Sequence, residues 1–160
     1  MPRIGVTGHI KLADGTADLV YAALVETLRG YRGRGLHGVT CLAEGADQLF
    51  AKAVTACGGT YEVVLPAKDY RQMTIADDAR ASFDALLDTA QRVDYMPFAD
   101  STPESYFAAS EEMLRRVDAL VAVWDGVPSP VVSSSANVVR AARDKGLAVT
   151  VVWPEGARRG

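Results

Sequence analysis

The feature that most restricts what this chain can become is a regular alternation of short apolar runs with longer stretches of helical periodicity. Parallel strands need long crossover connections, usually helices, so this alternation predicts βαβ units and a parallel sheet. Strands are expected near Arg3–Thr7, Gly38–Leu42, Tyr61–Leu65, Val93–Met96, Ala119–Trp124 and Ala148–Trp153. Most are nearly continuous apolar runs, as strands covered on both faces should be.

Between them, Leu19, Val20, Ala23, Leu24, Thr27 and Leu28 recur at helical spacing within Ala17–Leu28, as do Leu49, Phe50, Ala53 and Val54 within Ala46–Ala56. Further helices are expected over Ile75–Ala90, Pro103–Arg116 and Ser134–Lys145, with Thr102 as a cap ahead of Pro103. Gly58, Gly59 and Gly146 stand where helices should stop. The expectation is an α/β fold: a three-layer, Rossmann-like domain with a mainly parallel sheet of five to seven strands. At 160 residues, without repeats or a linker, the whole chain reads as one domain.

A formal charge of -3 provides no global positive field for a polyanionic backbone, so nucleic acid is disfavoured as a partner. Cys41 and Cys57 are too few for a disulfide framework and lack zinc-site spacing, which fits a reducing, cytoplasmic setting and predicts no bound metal. No apolar run approaches the ~20 residues that span a bilayer, so no membrane association is expected.

In a parallel sheet the ligand-side loops follow the strands. The first strand ends in Val6-Thr7-Gly8-His9, where a glycine lets a ligand approach the backbone, or simply turns the chain. The second ends in Cys41-Leu42-Ala43-Glu44-Gly45-Ala46-Asp47, directly before a helix whose N-terminus favours anions. Glu44 or Asp47 is placed to bond ribose hydroxyls or to cap that helix. Asp125 and Gly126 end the fifth strand, either at a ligand or in a turn. Arg71 either closes over a ligand or belongs to a charged surface loop. Cys41 reads as packing.

Gly38 to Tyr70, GVTCLAEGADQLFAKAVTACGGTYEVVLPAKDY, resembles the central segment of the SLOG superfamily of Rossmann-like domains. That group includes the DprA/Smf DNA-processing proteins and the LOG nucleotide hydrolases. RIGVTGH resembles its first strand, and MLRRVDALVAVWD the segment leading into its phosphate loop. The resemblance implies a phosphate site at Ser133, Ser134, Ser135 and Asn137, in place of the glycine-rich loop of LOG enzymes. Serine hydroxyls and helix-start N–H groups can still hold a phosphate. Asn137, however, stands where those enzymes carry an acid, and Ala109 and Ser110 stand near their Arg-Lys pair. An amide cannot act as a general base.

The sequence therefore points to binding or sensing of a nucleotide-type small molecule. The ligand set is Thr7, Gly8, His9, Glu44, Gly45, Asp47, Asp125, Gly126, Ser133, Ser134, Ser135 and Asn137, with no cofactor. One alternative is a LOG-like phosphoribohydrolase that cleaves the N-glycosidic bond of a nucleoside 5'-monophosphate. Its carboxylate would come from Glu44 first, or from Asp47, Asp125, Glu111 or Glu112. A second alternative is DprA-like binding of single-stranded DNA, which the acidic Glu44 opposes. The resemblance also implies a homodimer.

Overall fold

The computed structural model describes residues 2–160. It contains one sheet of six strands: β1 (Arg3–Gly8), β2 (His37–Thr40), β3 (Thr60–Leu65), β4 (Arg92–Tyr95), β5 (Ala119–Val123) and β6 (Ala148–Val151). Their order is β4-β3-β2-β1-β5-β6 and every adjacent pair is parallel. The central β1, β2, β3 and β5 are almost wholly buried, while the edges β4 and β6 keep much of their surface. Continuous apolar runs mark the former because both of their faces are covered.

Helices α1 (Thr16–Arg29), α2 (Ala46–Ala56), α3 (Tyr70–Met73), α4 (Arg80–Thr89), α5 (Pro103–Arg115) and α6 (Ser135–Asp144) complete the fold. Leu24 and Leu28 of α1, Phe50 and Val54 of α2 and Phe83 of α4 pack with Ile4, Val6, Tyr61 and Val63 on one face. Met113 of α5 and Val138 and Val139 of α6 pack with Val39, Val64, Leu120 and Ala122 on the other. Strand pleating sends alternate residues to the two layers, so each helical stripe meets its own row of strand side chains.

Helix α5 starts at a reciprocal cap. Thr102 Oγ1 accepts the Ser105 N–H at 3.1 Å, and Ser105 Oγ accepts the Thr102 N–H at 2.9 Å. The strand expected over Ala148–Trp153 ends at Val151, and two further stretches differ from the sequence expectation. The strand expected to reach Leu42 ends at Thr40, because Leu42 is fully buried with φ 59°, its N–H held by Thr40 Oγ1 at 3.0 Å. The helix expected over Ile75–Ala90 is divided: α3 precedes it, Ala76 is extended, a 3₁₀ turn covers Asp77–Ala79, and only then does α4 begin. Ile75, 1% exposed, is anchored in the core, and Arg80 donates to the Arg71 and Gln72 carbonyls, so long-range contacts override helical periodicity here.

The strand N-termini are tied by charge. Glu62 accepts from Arg3 Nη2 (2.7 Å), His37 Nε2 (2.8 Å) and Arg116 Nη1 (2.7 Å), and Arg116 continues to Asp94 and Glu112. Burial disfavours the Glu62 charge, yet the bonds from His37, Arg116 and Arg3 outweigh it and hold its pKa down at about 2. Because the folded pKa lies below the ordinary value, the contribution is present above pH ~4.5 and lost as pH falls toward 2. It amounts to ~3 kcal/mol at 1.36 kcal/mol per unit. Urea unfolding between pH 5 and 2 should show that loss in the wild type and a much flatter profile in Glu62→Gln; parallel profiles would remove Glu62 from this role.

Candidate functional site

β1 and β5 are neighbours, but their following connections run to opposite faces, α1 on one side and α6 on the other. A crevice opens where such connections part, at the C-terminal edge of the sheet. Here it has two adjoining lobes that share Gly8, Ile10, Ser133 and Ser135.

The first lobe, about 220 Å³, is lined by His9, Trp124, Ser129, Ser134, Ala136 and Arg159 besides the shared residues. Ser134 caps α6, its Oγ accepting the Asn137 N–H at 3.3 Å. The N-terminus of α6, with its free N–H groups and positive dipole end, therefore opens at this wall beside three serines. His9 Nε2 accepts the Asp125 N–H at 3.1 Å, which leaves the ring proton on Nδ1. Burial, then the Arg159 charge, hold the His9 pKa below its ordinary 6.5, against the pull of Asp125. His9 is thus a neutral donor, set edge-on to Trp153 with ring centroids 5.3 Å apart.

Arg159 reaches this lobe from the C-terminal segment, which clamps the loop after β1. Ala13 donates to the Arg158 carbonyl at 2.9 Å and Gly160 to that of Lys11 at 3.0 Å. The Arg159 guanidinium is 3.8 Å from Asp125 and still largely exposed, so its charge is available to a ligand.

The second lobe, about 250 Å³, is lined by Val6, Thr7, Cys41, Ala43, Asp47, Pro66, Tyr70, Thr74, Tyr106 and Ser110. Asp47 is 7% exposed; its Oδ2 accepts the Ala43 N–H at 3.2 Å. Oδ1 has no protein partner among the described residues yet is not sealed off, so it meets the cavity. Tyr70, 2% exposed, also leaves its hydroxyl without a protein partner in the same wall. Its ring lies edge-on to Tyr106, whose hydroxyl pairs with Thr74 Oγ1 at 2.7 Å. Burial pushes the Cys41 thiol up, consistent with packing rather than nucleophilic use.

Of the sequence-predicted residues, the cleft gathers Thr7, Gly8, His9, Asp47, Ser133, Ser134 and Ser135. Gly8 has a packing reason too: a Cβ there would lie 2.5 Å from Ala46 Cβ and 2.8 Å from Val123 Cβ. The other predicted residues stand behind the walls. Glu44 Oε2 accepts the Ala76 N–H at 3.3 Å, and Gly45, φ 78°, lies under the His9 and Ile10 carbonyls, where a Cβ would come within 2.6 Å. Asp125 Oδ1 accepts the Val127 N–H at 3.0 Å around Gly126, which has φ 84°. Asn137 Nδ2 donates to the Val131 carbonyl at 2.8 Å and pins that loop. Arg71 is locked to Asp84 by two 2.7 Å bonds, and Glu112 belongs to the charged network at the other edge.

Tyr70, Tyr106 and Arg159 were not singled out by sequence reasoning. The AlaArgArg run at 157–159 was a basic signal at the chain end, but only its antiparallel bridge to Leu12 brings it to the cleft. Among the described residues no three of His, Cys, Asp and Glu gather as a metal site, and no helix is long and apolar enough to cross a membrane.

Burial raises the Asp47 pKa to about 7, while the Ala43 N–H bond lowers it only in part. With the folded value above the unfolded one, the native state is favoured below pH ~4 and loses ~4 kcal/mol as pH rises through about 7. Asp47→Asn should be more stable than wild type at pH 8 in urea unfolding, the difference vanishing near pH 4. A difference independent of pH would contradict a buried, proton-binding Asp47.

No family model and no curated protein matches the chain. Solved structures do. DNA processing protein A from Streptococcus pneumoniae superposes with a TM-score of 0.69 at 15% identity, over 98% of this chain and 52% of its own. The same protein from Helicobacter pylori, described by its single-stranded DNA binding mode, gives 0.67 at 11%, over 99% and 68%. The molybdenum cofactor binding protein from Rippkaea orientalis gives 0.61 at 14%, over 96% and 77%. The chain thus spans about half the length of the first of these. At such identities the match is one of architecture, and the chain carries the Rossmann-like fold that these structures share.

Proposed function

We propose that this protein binds a nucleoside phosphate across the two lobes. The observation that carries the reading is their contiguity with opposite chemistry: Arg159, the serines and the α6 N-terminus on one side of Gly8, and Asp47 with aromatic walls on the other. A phosphate is matched by donors that need no proton transfer, each charge-assisted bond contributing on the order of 1.5–3 kcal/mol. A sugar would then pass the shared wall of Ser133 and Ser135, and the ring would enter the second lobe.

Binding rather than turnover is the reading favoured. Glycosidic cleavage needs a carboxylate near the sugar, and of the carboxylates weighed from sequence only Asp47 lines the cleft. Glu44 is engaged with the Ala76 N–H and Asn137 with its own loop. The DNA-binding reading draws on the neighbouring DNA processing protein from Helicobacter pylori. Against it stand the formal charge of -3 and a second lobe whose one charged side chain is acidic.

Thermal unfolding should rise with nucleoside mono-, di- or triphosphates by RT ln(1 + [L]/Kd), about 2.7 kcal/mol at a hundredfold excess over Kd, and far less with the bare nucleosides. Arg159→Ala should weaken binding roughly tenfold while leaving the unliganded melting point nearly unchanged, since Arg159 is largely exposed. Stabilisation by an oligonucleotide but by no mononucleotide would overturn the proposal. So would release of free base from AMP, CMP, GMP or UMP at about one turnover per second.

A further inference from the structure

The second lobe holds two polar groups that the protein leaves open to the cavity. Asp47 Oδ1 and the Tyr70 hydroxyl have no protein partner among the described residues, and their residues are 7% and 2% exposed. Both atoms are open to the cavity, where a ligand or water can complete them. The rings of Tyr70 and Tyr106, with Pro66, Val6 and Ala43, share this wall with the hydroxyl-bearing Thr7, Ser110 and Ser133. The rings and Pro66 give the faces of a planar heterocycle apolar surface to pack on, and the polar groups give its edge partners.

Resting on the nucleotide reading above, we infer that the second lobe selects its ring by N–H donors, Asp47 accepting from a ring amide and an adjacent exocyclic amine, as guanine presents. A carboxylate is acceptor-only when ionised, and each of its oxygens can accept more than one bond, so Oδ2 can serve a ligand besides the Ala43 N–H. The Tyr70 hydroxyl, which both donates and accepts, meets a neighbouring ring oxygen or nitrogen. Asp47 lines this lobe alone and is absent from the serine wall that the lobes share, which places it beyond the sugar of a ligand whose phosphate sits at Ser134. Glu44, the other acid of the same loop, is turned to Ala76 and does not compete. The elevated Asp47 pKa adds a signature: N–H donors favour the ionised carboxylate, so selectivity should grow as pH rises through about 7.

GMP and IMP test this directly, because they differ only in the exocyclic amine. Calorimetric titration should show GMP binding about tenfold more tightly than IMP at pH 8, with dGMP close to GMP. The GMP-to-IMP ratio should shrink by pH 6; since both ligands carry the same phosphate, its own titration cancels. Asp47→Asn should bring the ratio near one while keeping phosphate-dependent binding. If that variant does not fold, the wild-type ratios and their pH dependence decide alone. Equal affinities for GMP and IMP would overturn the inference and leave the nucleotide reading standing. Loss of dGMP binding without discrimination against IMP would assign Asp47 to the sugar and overturn it as well. Failure of all three to bind would reject the nucleotide reading, and the inference with it.

Discussion

The pairing of β1 with β5, in register from Ile4–Ala119 to Gly8–Val123, is the constraint on which the rest of the molecule depends. It brings together two strands 115 residues apart in sequence and ends both at one level of the sheet. Their connections leave to opposite faces, so backbone parts at that edge and cannot fill the space. Gly8 is the tightest point of this arrangement, wedged between Ala46 and Val123. The same contact fixes the start of α2, whose Ala46 N–H donates to the His9 carbonyl at 3.2 Å, and thereby the depth at which Asp47 sits.

The two ends of the sheet use charge in opposite ways. At the strand N-termini, Glu62 is surrounded by Arg3, His37 and Arg116, and both of its carboxylate oxygens are paired. Removing one member leaves the others buried and uncompensated, so this end contributes stability. At the C-terminal edge, Asp47 Oδ1, the Tyr70 hydroxyl and the Arg159 guanidinium remain open to a cavity. Keeping a buried carboxyl there costs stability above neutral pH, which is the usual trade at a binding surface.

Most of the architecture was legible because it rests on local pattern. Strand spacing, the apolar stripes of α1 and α2 and the Thr102 cap are all written within a few residues of where they act. Leu42 and the Ile75–Ala79 segment were not legible, since a buried side chain and distant hydrogen bonds set their backbone. The cleft was legible only in part. Strand tips marked Gly8 and Asp47, and the resemblance marked Ser133–Ser135, whereas choosing between Glu44 and Asp47 required knowing that Ala76 folds against the former. Tyr70, Tyr106 and Arg159 arrive from three separate parts of the chain, and no local spacing announces such convergence.

A ligand that spans both lobes at the β1–β5 switch point, its phosphate at the start of α6, should perturb residues of both lobes at once. Amide chemical shifts followed while a nucleoside monophosphate is titrated into labelled protein measure this most directly. The largest changes should fall on Gly8, Ser135 and Ala136 for the phosphate end, and on Ala43 and Asp47 for the ring end. Changes confined to the opposite edge, around His37, Glu62 and Asp94, with Ser135 and Asp47 unmoved, would contradict that placement.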